Sequence, residues 1–228
     1  MSKTILIAPF DGPLASALAE EASAEGWSVA LAMARGHTAA TAAESSKNQG
    51  RAAGDGGRAG PIAIAYDPRS YVSISALALS AVNALGELDA AALIFDPSAA
   101  KADLLGGKPG ELAGLVEERC SGPLFLAREL LRRFEARKAG SLIFLAPESP
   151  RDAALGPAAA MADGAFEGLG KGIFSAAAGA SWLAFGLRDA SGQPERAARY
   201  ALELLGLAKG AKAGRWLRYT GKSGLFGP

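Results

Sequence analysis

Thr4-Ile5-Leu6-Ile7-Ala8-Pro9-Phe10-Asp11-Gly12-Pro13-Leu14 runs from a short apolar stretch through a turn into an alanine-rich amphipathic segment that reaches Glu25. A buried strand leading through a turn into a helix is the opening unit of a nucleotide-binding α/β sheet. The turn is where such a sheet keeps a glycine-rich phosphate loop. Glycines there let the backbone approach a pyrophosphate and leave N–H groups free to donate. Here only Gly12 remains, Pro9 and Pro13 have no N–H, Leu14 adds bulk, and Asp11 brings a negative charge to the helix N-terminus. Asp11 or Gly12 as N-cap with Pro13 in the first turn starts a helix well. The same residues hold a phosphate badly.

Outward from this turn the pattern repeats. Ile5 to Ala8, Val29 to Ala34, Ile62 to Tyr66, Ala92 to Phe95, Leu142 to Ala146 and Trp182 to Leu187 read as buried strands. Segments 13–25, 71–86, 111–138, 157–179 and 194–207 read as helices, and Arg215 to Thr220 as a last strand. Near-continuous apolar strands alternating with helices predict one α/β domain over 1–228, a Rossmann-like doubly wound parallel sheet with helices on both faces. Residues 45–60, rich in Gly, Ser and charge, read as a flexible loop inside that domain, and 208–228 as the C-terminal strand and tail.

The 228 residues carry 24 basic and 23 acidic side chains, which gives no field for nucleic acid or an anionic membrane. The single cysteine, Cys120, excludes an intrachain disulfide and argues against a cysteine-based metal site. It shares a helix face with Leu112, Leu115 and Val116, spaced for core packing. The N-terminus lacks the long apolar stretch of a signal peptide, and the reading is a soluble cytoplasmic protein. Asp11, Asp67, Asp96, Glu148 and Asp189 fall at the carboxyl ends of predicted strands. Asp-Pro and Pro-rich turns that stop strands account for most of them, and their spacing selects no metal. The only histidine, His37, beside Arg35, reads as a solvated loop residue. Tyr71 opens a helix near Ser73 and Ser75 as a packing or capping residue.

Several phrases resemble the short-chain dehydrogenase/reductase family. Tyr66-Asp67-Pro68 resembles its strand-end Asp beside the adenine. Leu85 to Asp89 resembles its approach to an Asn-Asn-Ala-Gly turn, and Glu118 to Leu126 the middle of its long interface helix. Gly140 to Leu145 resembles its fifth strand, Phe166-Glu167-Gly168-Leu169 the phrase after its catalytic lysine, and Arg215 to Gly221 its final strand. The resemblance implies a Rossmann fold and places the family's catalytic positions. The tyrosine falls at Ala159, the lysine at Asp163, the serine at Ala146 or Pro147, and the helix asparagine at Arg119. Phe95-Asp96-Pro97-Ser98 replaces the Asn-Asn-Ala-Gly turn, and a register using Lys171 puts Glu167 where tyrosine belongs. Hydride chemistry needs a positioned cofactor and a proton relay, and these residues supply neither. Gly12 and Asp67 are what is left of the cofactor site, so no cofactor is expected on this chain.

Family members assemble through the two long helices and the last helix and strand. Leu112, Leu115, Val116, Leu124, Leu130, Leu131 and Phe134 give the first long helix an apolar surface, and small residues dominate the second. The expected function is therefore a non-catalytic subunit in a hetero-oligomer with an active, NAD-bearing dehydrogenase. Its C-terminal tail, Gly221 to Pro228, would reach across the interface. Two alternatives stand beside it: a reductase with displaced chemistry at Tyr66, Glu148 or Asp163, and a ligand-sensing regulatory protein on an empty fold.

Overall fold

The structure, a computed structural model, describes residues 3–34, 60–100, 102–148, 155–206 and 214–221. The predicted 45–60 loop, His37, Arg35 and most of the C-terminal tail fall outside these residues, apart from Gly60 and Gly221. The elements run β1 (Thr4–Ala8), α1 (Gly12–Ala24), β2 (Ser28–Ala34), β3 (Ile62–Tyr66), α2 (Tyr71–Leu85) and β4 (Ala90–Ile94). A 3₁₀ turn (Pro97–Ala99) precedes α3 (Pro109–Val116), a π turn (Glu117–Ser121) and α4 (Gly122–Arg137). Then come β5 (Ser141–Pro147), α5 (Pro157–Ala177), β6 (Leu183–Asp189), α6 (Pro194–Gly206) and β7 (Trp216–Tyr219). The strands form one parallel sheet in the order β3-β2-β1-β4-β5-β6-β7. The order reverses between β1 and β4, where Ile5 lies between Val29 and Ala90.

Strand alternation divides the interior into two cores. Ile5, Ile7, Ile143, Leu145, Phe185 and Leu187 point to the face covered by α1 and α6. Leu6, Ala8, Leu93, Leu142 and Phe144 point to the opposite face, against Leu77 of α2, Leu130 and Phe134 of α4, and Phe166 and Phe174 of α5. Side chains on successive strand residues alternate faces, so a strand covered on both sides must be apolar throughout. That is why these segments read as unbroken apolar runs.

The predicted helix 111–138 is two helices joined by the π turn, and it starts two residues earlier, at Pro109. No residue of α3 is buried, and Val116 is 40% exposed. The core-packing face expected for Leu112, Leu115 and Val116 is therefore only partly covered, with Leu115 and Cys120 at the core's edge. The π turn breaks the i, i+3, i+4 spacing on which that expectation rested. Burial pushes the Cys120 thiol up, away from reactivity.

Two local devices fix α4 and α5 against their neighbours. Glu129, buried on α4, accepts a hydrogen bond from the Tyr71 hydroxyl (2.9 Å) and ion-pairs with Arg128 (2.7 Å), Arg132 (3.7 Å) and Arg133 (3.3 Å). Burial by itself would raise its pKa, but Tyr71, Arg133 and Arg132 outweigh it and hold the carboxyl below its ordinary value. Trp216 of β7 lies in a slot between α5 and β6. A Cβ on Gly170 would come within 2.9 Å of the indole, and one on Gly186 would fall inside it.

Gly186→Ala is therefore expected to destabilise the chain by about 2–3 kcal/mol through overpacking, read as a lower urea midpoint, with Gly192→Ala as a solvent-side control for strain alone. The depressed Glu129 pKa stabilises the fold above the unfolded glutamate pKa of about 4.3. That contribution is lost as pH falls through the folded value. Urea midpoints taken from pH 6 down to pH 3 should converge for wild type and Glu129→Gln, with wild type ahead only at the upper end.

Candidate functional site

Ligands of open α/β sheets bind at the carboxyl edge where strand order reverses, which here is the crevice between the ends of β1 and β4. Pro9, Asp11, Tyr66, Phe95, Arg119 and Gly122 are among the residues that line it. Its volume is about 30 Å³, room for a water molecule and far below the several hundred Å³ of a small-molecule site. Gly12 adopts φ +76°, the left-handed conformation that glycine reaches without strain, and its Cα faces the Asp96 carboxylate. Asp11 is the N-cap of α1 but makes no side-chain cap bond, and a proline follows in the first turn. The one retained glycine thus serves the chain's own turn.

The π turn lies at the mouth of this crevice. Gly122, just after it, approaches the turn after β3 so closely that a Cβ would lie 2.7 Å from the Pro68 carbonyl oxygen. Arg119, at the position the resemblance gives to asparagine, is nearly buried and pairs with Glu118 at 3.1 Å. It faces Tyr66, whose hydroxyl is pushed well above its ordinary pKa, chiefly by burial; Arg119 opposes the rise, and Glu118, Asp11 and Asp67 add to it. The phenol stays protonated at neutral pH and is a poor general base. Asp67 accepts from the Arg69 N–H (2.9 Å), and its own N–H donates to Ser73 Oγ (2.8 Å).

The tyrosine and lysine positions lie on the first turns of α5. Ala159 is buried. Asp163 accepts from Arg188 Nη1 at 2.6 Å, while Arg188 Nη2 reaches Glu167 at 3.3 Å and the guanidinium lies 4.9 Å from the centre of the Trp216 ring. Glu167 is held below the ordinary carboxylate pKa, first by its bond to Lys171 and then, against some desolvation, by Lys171 and Arg188 charge. Pro147 ends β5 opposite Asp189 and carries no hydroxyl. Glu148 pairs with Arg218, and Asp189, inside β6 rather than just past it, accepts from Ser191 N–H and Oγ–H. Glu148 pairs with Arg218, Asp163 with Arg188, and Tyr66 faces Arg119, so among the described residues the three form no shared constellation. Among the described residues no group of three or more His, Cys, Asp or Glu is placed to hold a metal ion.

Arg188, Trp216 and Glu129 were not singled out in the sequence. Arg128-Glu129-Leu130-Leu131-Arg132-Arg133 carried a signal for the last: one acid among three arginines within six residues.

A second concavity lies on the outer face of α4 and α5. It is open, holds about 690 Å³, and has Leu124, Leu131, Leu169, Ile173 and Trp182 among its walls. The Trp182 indole donates to Glu135 at 2.7 Å. Of the residues expected to form an apolar interface, Leu130 and Phe134 are core, Leu131 is partly buried, and Leu124 is 50% exposed. Gly164, Gly168 and Gly172 stand exposed on α5, and a Cβ on any of them would meet nothing within 4 Å. Each costs the helix about 0.5–1 kcal/mol relative to alanine.

No family model matches the chain, and no curated protein does. Solved structures do. A variant of the Serratia marcescens short-chain dehydrogenase/reductase superposes with a TM-score of 0.74 at 18% identity, covering 95% of this chain and 96% of that one. The fold is that of the short-chain dehydrogenases. A metagenomic short-chain oxidoreductase in complex with NADP matches at 0.73 and 18% identity over 96% of this chain and 98% of that chain. An actinorhodin polyketide ketoreductase variant with NADPH reaches 0.76 at 16% identity over 96% of each. No helix among the described residues is long and apolar enough to cross a membrane.

Asp163→Lys, which installs the residue type that the resemblance gives to this position, sets two cations side by side and leaves the nearly buried Arg188 guanidinium with its longer contact to Glu167. It should cost about 2–3 kcal/mol in urea denaturation and yield no NADH oxidation, even combined with Ala159→Tyr; an active double variant would contradict this account of the site.

Proposed function

We propose that the chain is a non-catalytic subunit that assembles with an active NAD-dependent dehydrogenase and supports it by shape. The observation that carries this reading is the crevice at the strand-order reversal, about 30 Å³ in volume and faced by Asp11, Glu118 and Arg119. A dinucleotide needs a pocket an order of magnitude larger, free backbone donors for its pyrophosphate and no carboxylate beside it. The Tyr/Lys relay positions hold Ala159 and an Asp163 already neutralised by Arg188. NAD then belongs to the other subunit, and this chain contributes folded surface.

The arrangement resembles that of 2-(α-hydroxybenzyl)succinyl-CoA dehydrogenase, which combines an active and an inactive subunit. A hydroxyacyl-CoA is accordingly the substrate class we propose for the complex, in the cytoplasm. The groove on α4 and α5 supports the assembly half of the reading: apolar walls beside an arginine-bearing edge are the kind of surface a subunit interface presents.

Calorimetric titration of the purified chain with NADH and NADPH should give no binding at submillimolar concentration. Native mass spectrometry of the tagged chain from its own host should show a stoichiometric complex with a second polypeptide that carries an intact glycine-rich loop and a Tyr/Lys pair. A homo-oligomer without such a companion sinks the subunit reading. A dinucleotide retained by the isolated chain would shift the assignment to an enzyme with displaced chemistry.

A further inference from the structure

Helix α2 turns an uncharged face to solvent. Its 15 residues, Tyr71–Leu85, include no acidic or basic side chain. Ile74, Leu77, Ala78 and Ala81 are buried, and on the opposite side of the helix Val72, Ala76, Leu79 and Asn83 are exposed. Val72 is 76% exposed and Leu79 53%. A surface helix ordinarily carries its charged residues on this side. Steps of four, three and four along positions 72, 76, 79 and 83 trace the narrow seam along which two helices interlock.

The seam is complementary to its own reversed copy. Two antiparallel copies of α2, related by a two-fold axis midway between positions 76 and 79, set Leu79 of each against Ala76 of the other. Large meets small twice at the centre. Val72 then meets Asn83 at either end, where the amide stays at the wet rim. The same register brings Arg69, just before the helix, beside Glu87, just after it in the other copy. Each has a partner in its own chain, Asp67 at 3.7 Å and Arg137 at 2.7 Å, yet the two side chains remain 54% and 64% exposed. Arg137 also serves Asp89, so the C-terminal end of α2 holds a carboxylate in excess. Antiparallel helices further set the cation at a C-terminus and the acid at an N-terminus, as the helix dipoles favour. A parallel pair would instead oppose Arg69 to Arg69 and Glu87 to Glu87. A foreign helix with charges on its seam would lose water there without gaining a counter-charge, whereas α2 brings none.

We infer that two copies of this chain pair through α2, antiparallel, with Ala76 against Leu79 and Val72 against Asn83. The pairing goes beyond the subunit reading and does not rest on it, because this seam lies apart from the groove on α4 and α5.

Sedimentation equilibrium of the purified chain should show monomer passing to dimer through roughly the micromolar range, as a contact smaller than a standard interface gives. Leu79→Lys changes an exposed side chain, so the urea midpoint should stay in place while the dimer weakens roughly tenfold or more. Leu124→Lys, in the groove, should leave the dimer intact. In a Cys120→Ser background, chains carrying Val72→Cys mixed with chains carrying Asn83→Cys should oxidise to a mixed disulfide, and Val72→Cys should not link to itself. A chain that stays monomeric, a dimer that survives Leu79→Lys, or self-linking at position 72 in place of the mixed disulfide would overturn the inference. Failure of the subunit reading looks different: the mixed disulfide would form, and no companion polypeptide with a Tyr/Lys pair would be found.

Discussion

Burial of the parallel sheet on both faces is the constraint from which the remaining architecture follows. β1, β2, β4 and β5 each send alternate residues into one core or the other, so each must be apolar along its length and covered by helices on both faces, while the edge strand β3 feeds Ile64 and Tyr66 into one core and exposes Ala63 and Ala65. Parallel strands also need crossovers long enough to return to the starting edge. Reversing the winding direction between β1 and β4 then leaves a crevice at the carboxyl edge, whatever the residues there. The crevice is thus a geometric consequence of the sheet, while its chemistry is set by a few loop residues. This separation lets the fold form with Pro9 and Asp11 in the turn where a phosphate ligand would need glycine and free N–H groups.

The same separation applies to Asp163 on α5. An aspartate at position 163 would be an unpaired half-buried carboxylate if the sheet offered nothing to meet it. Arg188, near the end of β6, supplies the counter-charge, and Trp216 on β7 covers its guanidinium. Trp216 in turn requires glycine at 186, where a Cβ would overlap the indole, and is packed so close to Gly170 that a Cβ there would press on it at 2.9 Å. Aspartate, arginine, tryptophan and two glycines from three elements therefore form one interdependent unit. Its charges are neutralised within the cluster, and it stabilises the junction of α5 with the sheet edge.

Most of the fold was legible from the sequence because strand burial and helix amphipathicity are local patterns. Ile62–Tyr66 was placed to the residue, and the other strands to within about two. The errors came where local pattern stops being informative. Residues 111–138 keep helical periodicity on each side of the π turn, but the inserted residue rotates one side against the other, so a single face could not be projected across it. Arg188 reads as a strand-end charge until Asp163, 25 residues earlier, is set beside it. Glu129 reads as a surface acid until Tyr71, 58 residues earlier, closes over it. Pairings at such separations depend on topology, which periodicity does not encode. The surroundings of Arg119, Pro147, Ala159 and Asp163 could not be read from the sequence, because their neighbours come from other elements.

The flank of α4 and α5 depends on the whole sheet beneath it. Those helices follow β4 and β5, and the pairing of Leu93 with Phe144 and of Ile94 with Leu145 fixes how the two crossovers stand relative to each other. Phe134 of α4 and Phe166 and Phe174 of α5 reach down to one core, where Phe144 meets both α5 rings edge-on. The spacing of the two helices, and so the width of the groove above them, is set by aromatic packing beneath it. Loosening that core would spread the groove and disperse the exposed leucines along its rim. The packing of the buried sheet is therefore what holds the outer helical surface in one shape.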